Sequence, residues 1–275
     1  MADDIKLSAA SRTNLLALQT TTKLVGRTQA RLSTGLEVNS ALDNASAFFQ
    51  SRSLINRAND LSQVKDSIDQ SVQTLKSALL GIEGAVKIVE QLKGLGAAAK
   101  NSITAAERST LANQAQQLAA QLDNLINDAG YNGINLIRAT PDNMQINFNE
   151  NSTIELTVVG INMSAANLGA NIATCTNNWG TVGDINADMD EYQSALGQLR
   201  TTASTLGSQT TLLQTRLDFL AAMANTLQEG ADKLTLADTN EEGANLLALQ
   251  TRQQLGINSL SLAAQSEQSV LSLFG

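Results

Sequence analysis

Acid–base and metal chemistry ordinarily draw on imidazoles, clustered carboxylates or paired thiols, and this chain is poor in all three. Its 275 residues include no His, so the commonest general base and metal ligand is missing. A zinc-protease helix, with two His four apart and a Glu between, is therefore out. Cys175 is the only Cys, which forbids an intrachain disulfide and a thiolate zinc cluster. It lies in an Asn/Thr-rich stretch, where an unpaired thiol reads as incidental. Asp and Glu number 26 but form no dense cluster. No catalytic, cofactor-binding or metal-ligating residue is assigned, no cofactor is expected, and the chain reads as a non-enzyme.

Charge and composition narrow the class further. A net charge of −8 and a pI near 4.6 oppose strong binding to nucleic acid or anionic lipid. Met1-Ala-Asp-Asp-Ile lacks the basic start and apolar run of a secretory signal. No stretch approaches the roughly 20 apolar residues of a membrane span. On the residues alone this reads as soluble and cytoplasmic. Aromatics are 3% of the chain and Pro141 is the sole Pro, so the core must be aliphatic and nearly the whole chain is free to be helical.

Hydrophobic spacing places the elements. From Leu54, alternating steps of four and three give Leu54, Ala58, Leu61, Lys65, Ile68, Val72, Leu75, Leu79, Ile82, Val86 and Val89, with only Lys65 polar. That stripe predicts a helix of roughly 50 Å at 1.5 Å per residue, bending or breaking near Gly94 and Gly96. Thr104 and Glu107 stand at capping-box spacing before a second stripe, Leu111, Ala115, Leu118, Leu122 and Leu125, which Gly130 is expected to end. Thr181 and Asp184 repeat the capping spacing before a third stripe from Ile185 through Tyr192, Leu199, Leu206, Thr210, Leu213 and Leu220 to Leu227. Together these segments predict a mainly α fold with a long antiparallel bundle or coiled-coil core. Between the second and third stripes, Met144–Phe148 and Thr153–Val159 alternate as a β-hairpin, and the Asn-, Thr- and Gly-rich remainder to Gly183 reads as a surface excursion.

The two ends form their own pair. Asn14-Leu-Leu-Ala-Leu-Gln-Thr20 recurs letter for letter at Asn245–Thr251, which suggests similar packing duties. Leu15, Leu18, Thr22, Val25, Gln29 and Leu32 follow the three–four spacing up to Gly35. Leu246, Leu249, Gln253, Ile257, Leu260, Ala264, Leu271 and Phe274 lie near one stripe, with Thr239 and Glu242 at capping spacing before it. Residues 5–36 hold Lys6, Arg12, Lys23, Arg27 and Arg31 with a single acid-free run to Leu36, whereas the C-terminal segment holds Glu241, Glu242 and Glu267 against Arg252. Opposite sign favours a terminal two-helix coiled coil, although exposed ion pairs contribute only about 0–1 kcal/mol each. Thr and Gln dilute both stripes, so the pair alone is marginal, and such ends suit ordering upon assembly. Two surface helices docked on the bundle fit the spacing equally well.

Three motifs resemble one family, the bacterial flagellins. Arg31-Leu-Ser-Thr-Gly-Leu-Glu-Val-Asn-Ser-Ala-Leu-Asp-Asn-Ala is similar to the family's RLS-x-G-x-x-x-NSA-x-D-x-A pattern, carried here by Arg31, Leu32, Gly35, Asn39, Ser40 and Asp43. Tyr131-Asn-Gly resembles the aromatic-Asn-Gly turn, and Gln268–Gly275 resembles flagellin C-termini. Read physically, Gly35 stops the first helix, and Ser40 with Asp43 at capping spacing restarts the chain.

The resemblance implies a swimming filament's structural subunit, a homopolymer of the chain, with the hook–filament junction protein as the alternative. It implies a terminal coiled coil at 1–35 and 240–275, connectors at 36–53 and 228–239, a helical core at 54–140 and 184–227, and a reduced outer region at 141–183. Leu15, Leu18, Val25 and Leu32 with Leu249, Ile257, Leu260, Leu271 and Phe274 are the expected assembly contacts. It implies extracellular export through the flagellar type III channel without a cleaved signal, and partners among export chaperones, the filament cap and hook-associated proteins. Sugar on Ser or Thr of 150–182 is a further expectation. Gln91-Leu-Lys-Gly-Leu-Gly departs from the family's Gln-Arg and Arg-Glu-Leu run, so weak activation of the innate receptor is expected.

Overall fold

We describe the protein from a computed structural model covering residues 9–151 and 153–274, apart from the side chains of residues 10, 170, 267 and 270–274. The chain divides into two compact units, one from Met1–Asn56 with Thr226–Gly275 and one from Arg57–Asn225. Its long helices are α1 (Ala9–Thr34), α2 (Ala45–Asn101), α3 (Ala105–Asp128), α6 (Val182–Thr235) and α7 (Thr239–Phe274). The short ones are α4 (Ala165–Leu168) and α5 (Ala170–Thr174), and strands β1 (Met144–Asn147) and β2 (Glu155–Val158) make one antiparallel pair. This is the mainly α architecture that the spacing predicts.

In the unit Arg57–Asn225, α2, α3 and α6 bury their stripes together. Ile68, Val72, Leu75, Ile82, Val89 and Leu92 of α2 are buried, as are Ile185, Tyr192, Leu199, Leu206 and Leu213 of α6. Lys93 Nζ donates to Gln193 Oε1 at 2.6 Å, and Arg200 approaches Glu90 at 4.0 Å, so α2 and α6 run antiparallel. Thr210, the polar member of its stripe, is buried without penalty because its hydroxyl donates to Leu206 O at 2.8 Å.

The expected break at Gly94 and Gly96 is absent, since α2 runs as one helix from Ala45 to Asn101. Packing explains Gly96: a Cβ there would lie 2.7 Å from Met189 Sδ. The residue serves close approach to α6 rather than a break. On α3 the buried face is Ala112, Ala115, Ala119, Leu122 and Ile126, with Leu111, Leu118 and Leu125 half-buried on its flank. The face is thus turned toward the alanines, which admit a near neighbour. The Thr104 cap is as expected, its hydroxyl accepting from Glu107 N at 3.2 Å.

Gly130 does not end α3, which stops at Asp128. Asn135 does that work instead: its amide donates to Ile126 O and Asn127 O, and its Oδ1 accepts from Ile137 N and Arg138 N. The intervening Tyr131-Asn-Gly-Ile turn has φ of 49° at Asn132 and 81° at Gly133, with reciprocal Tyr131–Ile134 backbone bonds of 2.9 and 3.0 Å. Positive φ at both central residues is the conformation that Asn-Gly favours. The hairpin follows in the register Met144↔Val158 to Asn147↔Glu155.

Residues 160–180 correct the expectation of a surface excursion. Ala165, Leu168, Ile172, Cys175 and Trp179 are buried. Asn177, Asn178 and Trp179 adopt φ of 43°, 48° and 57°, a left-handed turn that Asn tolerates. Arg108 fixes this turn by donating to Trp179 O at 3.1 Å and Gly180 O at 2.8 Å. Thr181 and Asp184 form the expected reciprocal cap of α6.

Candidate assembly site: the paired terminal helices

In the other unit, α1 packs against α7. Residues 9–34 contain no Pro and no acid. Hydroxyls of Thr13, Thr20, Thr21 and Thr22 each donate 2.9 Å bonds to the carbonyl four residues back, which keeps these side chains satisfied along the helix. Gly35, at φ 71°, ends α1, with its N–H donating to Arg31 O at 2.8 Å.

Between the helices, residues 35–44 join α1 to α2 and residues 236–238 join α6 to α7. Ser40 and Asp43 do not restart the helix. Asp43 Oδ2 instead accepts from Ser40 N, Ser40 Oγ and Asn39 N, closing a turn of its own. The Ser40 hydroxyl, followed by its N–H, holds the Asp43 carboxyl below its ordinary value. Asn44 caps α2 one residue later, its Oδ1 accepting from Ala47 N at 3.2 Å. Likewise Asp238, not Thr239, caps α7, accepting from Asn240 N and Glu241 N. The two connectors are tied to each other by Glu37 N to Thr235 O at 2.8 Å and Ala237 N to Gly35 O at 2.9 Å, around a Leu36–Leu236 bridge.

Released from capping, Glu242 reaches across: Arg31 Nη1 donates to its Oε1 at 2.6 Å, and Glu242 is buried. Arg31 also approaches Glu37 at 3.5 Å. Gln253 Nε2 meets Thr22 Oγ1 at 3.5 Å, and Gly256 faces Leu18, whose Cδ1 would lie 3.3 Å from a Cβ at that position. These pairs fix an antiparallel register.

The facing sides differ in part from the expected stripes. On α1 they comprise Ser11, Leu15, Leu18, Thr21, Val25, Thr28 and Leu32, and on α7 Glu242, Leu246, Leu249, Gln253, Gly256, Leu260 and Ala263. Thr22 and Gln29 lie outside the buried seam, replaced by Thr21 and Thr28. Ile257 is 46% exposed, and Gly256 takes the inward place beside it. The reason is geometric: a heptad that steps by three instead of four moves the seam one residue around the helix. Leu271 and Phe274 lie in the last turn of α7, and their side chains fall outside the described residues. Spacing missed Glu242 as a contact, because the same residue fitted a cap.

No helix of the described residues is long and apolar enough to cross a membrane, and no group of three or more metal-ligating side chains occurs among them. The geometry is that of contact surfaces. The family model of the bacterial flagellin N-terminal helical region matches residues 5–141, and that of the C-terminal helical region matches residues 184–274. The chain belongs to the bacterial flagellin family. Three flagellins of Caulobacter vibrioides resemble it over most of their length. FljO is 28% identical, covering 80% of this chain and 81% of its own, and FljM is 27% identical, covering 94% and 95%. FljK is 27% identical, covering 99% and 98%. The solved structure of Bacillus cereus flagellin aligns with 56% of this chain and 88% of its own at 16% identity, with a TM-score of 0.49. As a flagellin, the chain is a structural subunit that polymerises into the flagellar filament of motility.

Proposed function

We propose that α1 and α7 are the polymer-forming element and that they are completed by neighbouring copies. The observation that carries this reading is the outer face of the pair. Leu16 is 64% exposed, Leu247 68%, Leu255 63% and Leu262 67%, a row of leucines that the pair itself leaves in water. Exposed apolar rows of this kind mark contact surfaces. Inward, Leu15, Leu18, Val25 and Leu32 hold α1 to Leu249 and Leu260 of α7, while Ile257, 46% exposed, lies on the flank of the seam. Leu271 and Phe274, in the last turn of α7, belong to the same proposed element.

The subunit is exported without cleavage of a signal, delivered by a chaperone, and folds into place beneath a cap at the filament tip. No reaction is catalysed. Removal of residues 241–275 leaves the unit Arg57–Asn225 intact in sequence, so the truncated protein should remain helical and secreted but fail to polymerise. Electron microscopy after seeding tests this, and long filaments from the truncated chain would defeat the reading.

A further inference from the structure

The repeated heptapeptide takes the same structure twice. Leu15 and Leu246 turn inward, as do Leu18 and Leu249, while Leu16 and Leu247 are exposed. Thr20 Oγ1 donates to Leu16 O and Thr251 Oγ1 to Leu247 O, both at 2.9 Å. The equivalence extends beyond the repeat. Shifting α1 by the same 231 positions takes Ser11 to Glu242, Val25 to Gly256 and Leu32 to Ala263, all on the facing sides. It also takes Thr22 to Gln253, the two residues that meet at 3.5 Å. The pair therefore has a pseudo-two-fold axis passing close to the Thr22–Gln253 contact.

Such symmetry creates an ambiguity. The same leucine stripe that α1 offers to α7 is presented by α1 of a second copy, and the same holds for α7. Apolar contact is non-directional, so the stripe alone does not choose. Charge does. In an α1–α1 pair of this register, Arg31 would face Ser11, which carries no charge. In an α7–α7 pair, Glu242 would face Leu262. Only the α1–α7 pair brings Arg31 to Glu242, at 2.6 Å and largely out of water. The flanking charges add to this, since α1 carries Arg12, Lys23, Arg27 and Arg31 with no acid. A part-buried charge left without its partner is strongly unfavourable, and polar contacts that reject wrong partners are a recognised source of pairing specificity.

We infer that the Arg31–Glu242 pair is the selector that joins α1 to α7 and rejects like-with-like pairing between copies of the chain. The pair thus sets which helix each terminus accepts, independently of whether those helices also form the polymer.

Disulfide trapping at the pseudo-axis tests it in the dilute, depolymerised full-length chain, with Cys175 replaced by Ala throughout. Thr22→Cys with Gln253→Cys should oxidise within one chain. Either replacement alone reports like-with-like pairing, because position 22 would face position 22 of a second copy, and position 253 likewise. Glu242→Gln should raise the interchain product of the single-Cys chains at least five-fold and lower the intrachain yield of the double-Cys chain. The charge swap Arg31→Glu with Glu242→Arg should return both to their original levels. An unchanged product distribution in Glu242→Gln overturns the inference. So does a lower intrachain yield with no interchain gain, which would make the ion pair a stabiliser only. Failure of the swap to restore the distribution overturns it as well.

Discussion

Trp179 donates its indole N–H to Asp188 Oδ2 at 2.7 Å, with both residues wholly out of solvent. The same carboxylate accepts from Thr176 N at 3.0 Å and Thr176 Oγ1 at 2.5 Å. One side chain of α6 thereby holds both ends of the left-handed turn that closes residues 160–180. Buried carboxylates are tolerated when their lone pairs are filled, and here the donors are Thr176 and Trp179 at the two ends of the turn.

Asp188→Ala should therefore cost about 3 kcal/mol, because it strands buried donors as well as deleting charge-assisted bonds. Trp179 is the only Trp, so its fluorescence reads the turn directly. Denaturant unfolding should show the lost stability, and the native emission should move to the red as water reaches the indole. Native emission unchanged in position would show that the turn stands without Asp188.

Burial pushes the Cys175 thiol up to about 11, from an ordinary value of 9.0. Its Sγ lies 3.6 Å from Ala112 O and 4.0 Å from Tyr192 Oη. Thiolate is the reactive form, so at pH 8 the rise alone removes roughly 99% of it. A thiol reagent should label the native protein at least about 100-fold more slowly than the guanidinium-unfolded chain, and oxidation should yield no interchain disulfide through this residue. Equal rates in the two states would contradict the burial.

Glycines of α2 should respond oppositely to the same substitution. A Cβ on Gly81 would lie 2.5 Å from Ala129 Cβ and 2.8 Å from Ile137 Cδ1, whereas one on Gly94 meets nothing within 4 Å. Gly94→Ala should stabilise by up to about 1 kcal/mol through backbone entropy. Gly81→Ala should destabilise by about 1–3 kcal/mol, overpacking outweighing the helical gain. Paired thermal melts check the sign of each.

What the sequence displayed and what it hid follow a physical line. Long apolar stripes on α2 and α6 were legible because each buries a continuous face. Capping spacing was legible at Thr104 and Thr181 but misleading at Ser40 and Thr239, where Asn44, four residues on, and Asp238, one residue before, take the orphan N–H groups instead. The spacing motif cannot rank adequate acceptors that stand within one turn of each other. Residues 160–180 have the composition of a loop, while their burial depends on Arg108, Asp188 and Gln116 from distant helices. Such long-range bonds leave no local period. At the termini, the apolar positions were visible, but Thr21 and Thr28 occupy seam sites that hydrophobicity alone assigns to neighbours.

Acid should loosen the turn after α3 before it affects the helices. Asp142 Oδ2 accepts from Asn135 N at 2.8 Å, and its Oδ1 meets Arg138 Nη2 at 2.6 Å. The Asn135 N–H, with Arg138 behind it, holds the Asp142 carboxyl below its ordinary 3.8. A carboxyl lowered in the native state stabilises that state fully above its unfolded value and loses the contribution as pH falls through the native one. Stability from this group should thus be constant above about pH 5 and decline below 3.8. Asp142→Asn keeps an oxygen for the Asn135 N–H and removes the titration, so the decline should flatten in that variant. Carboxyl NMR titration of Asp142 checks the premise, and a midpoint at or above 3.8 would refute it. Asn135 amide exchange should quicken over the same interval, since the bond that protonation weakens is the one protecting it.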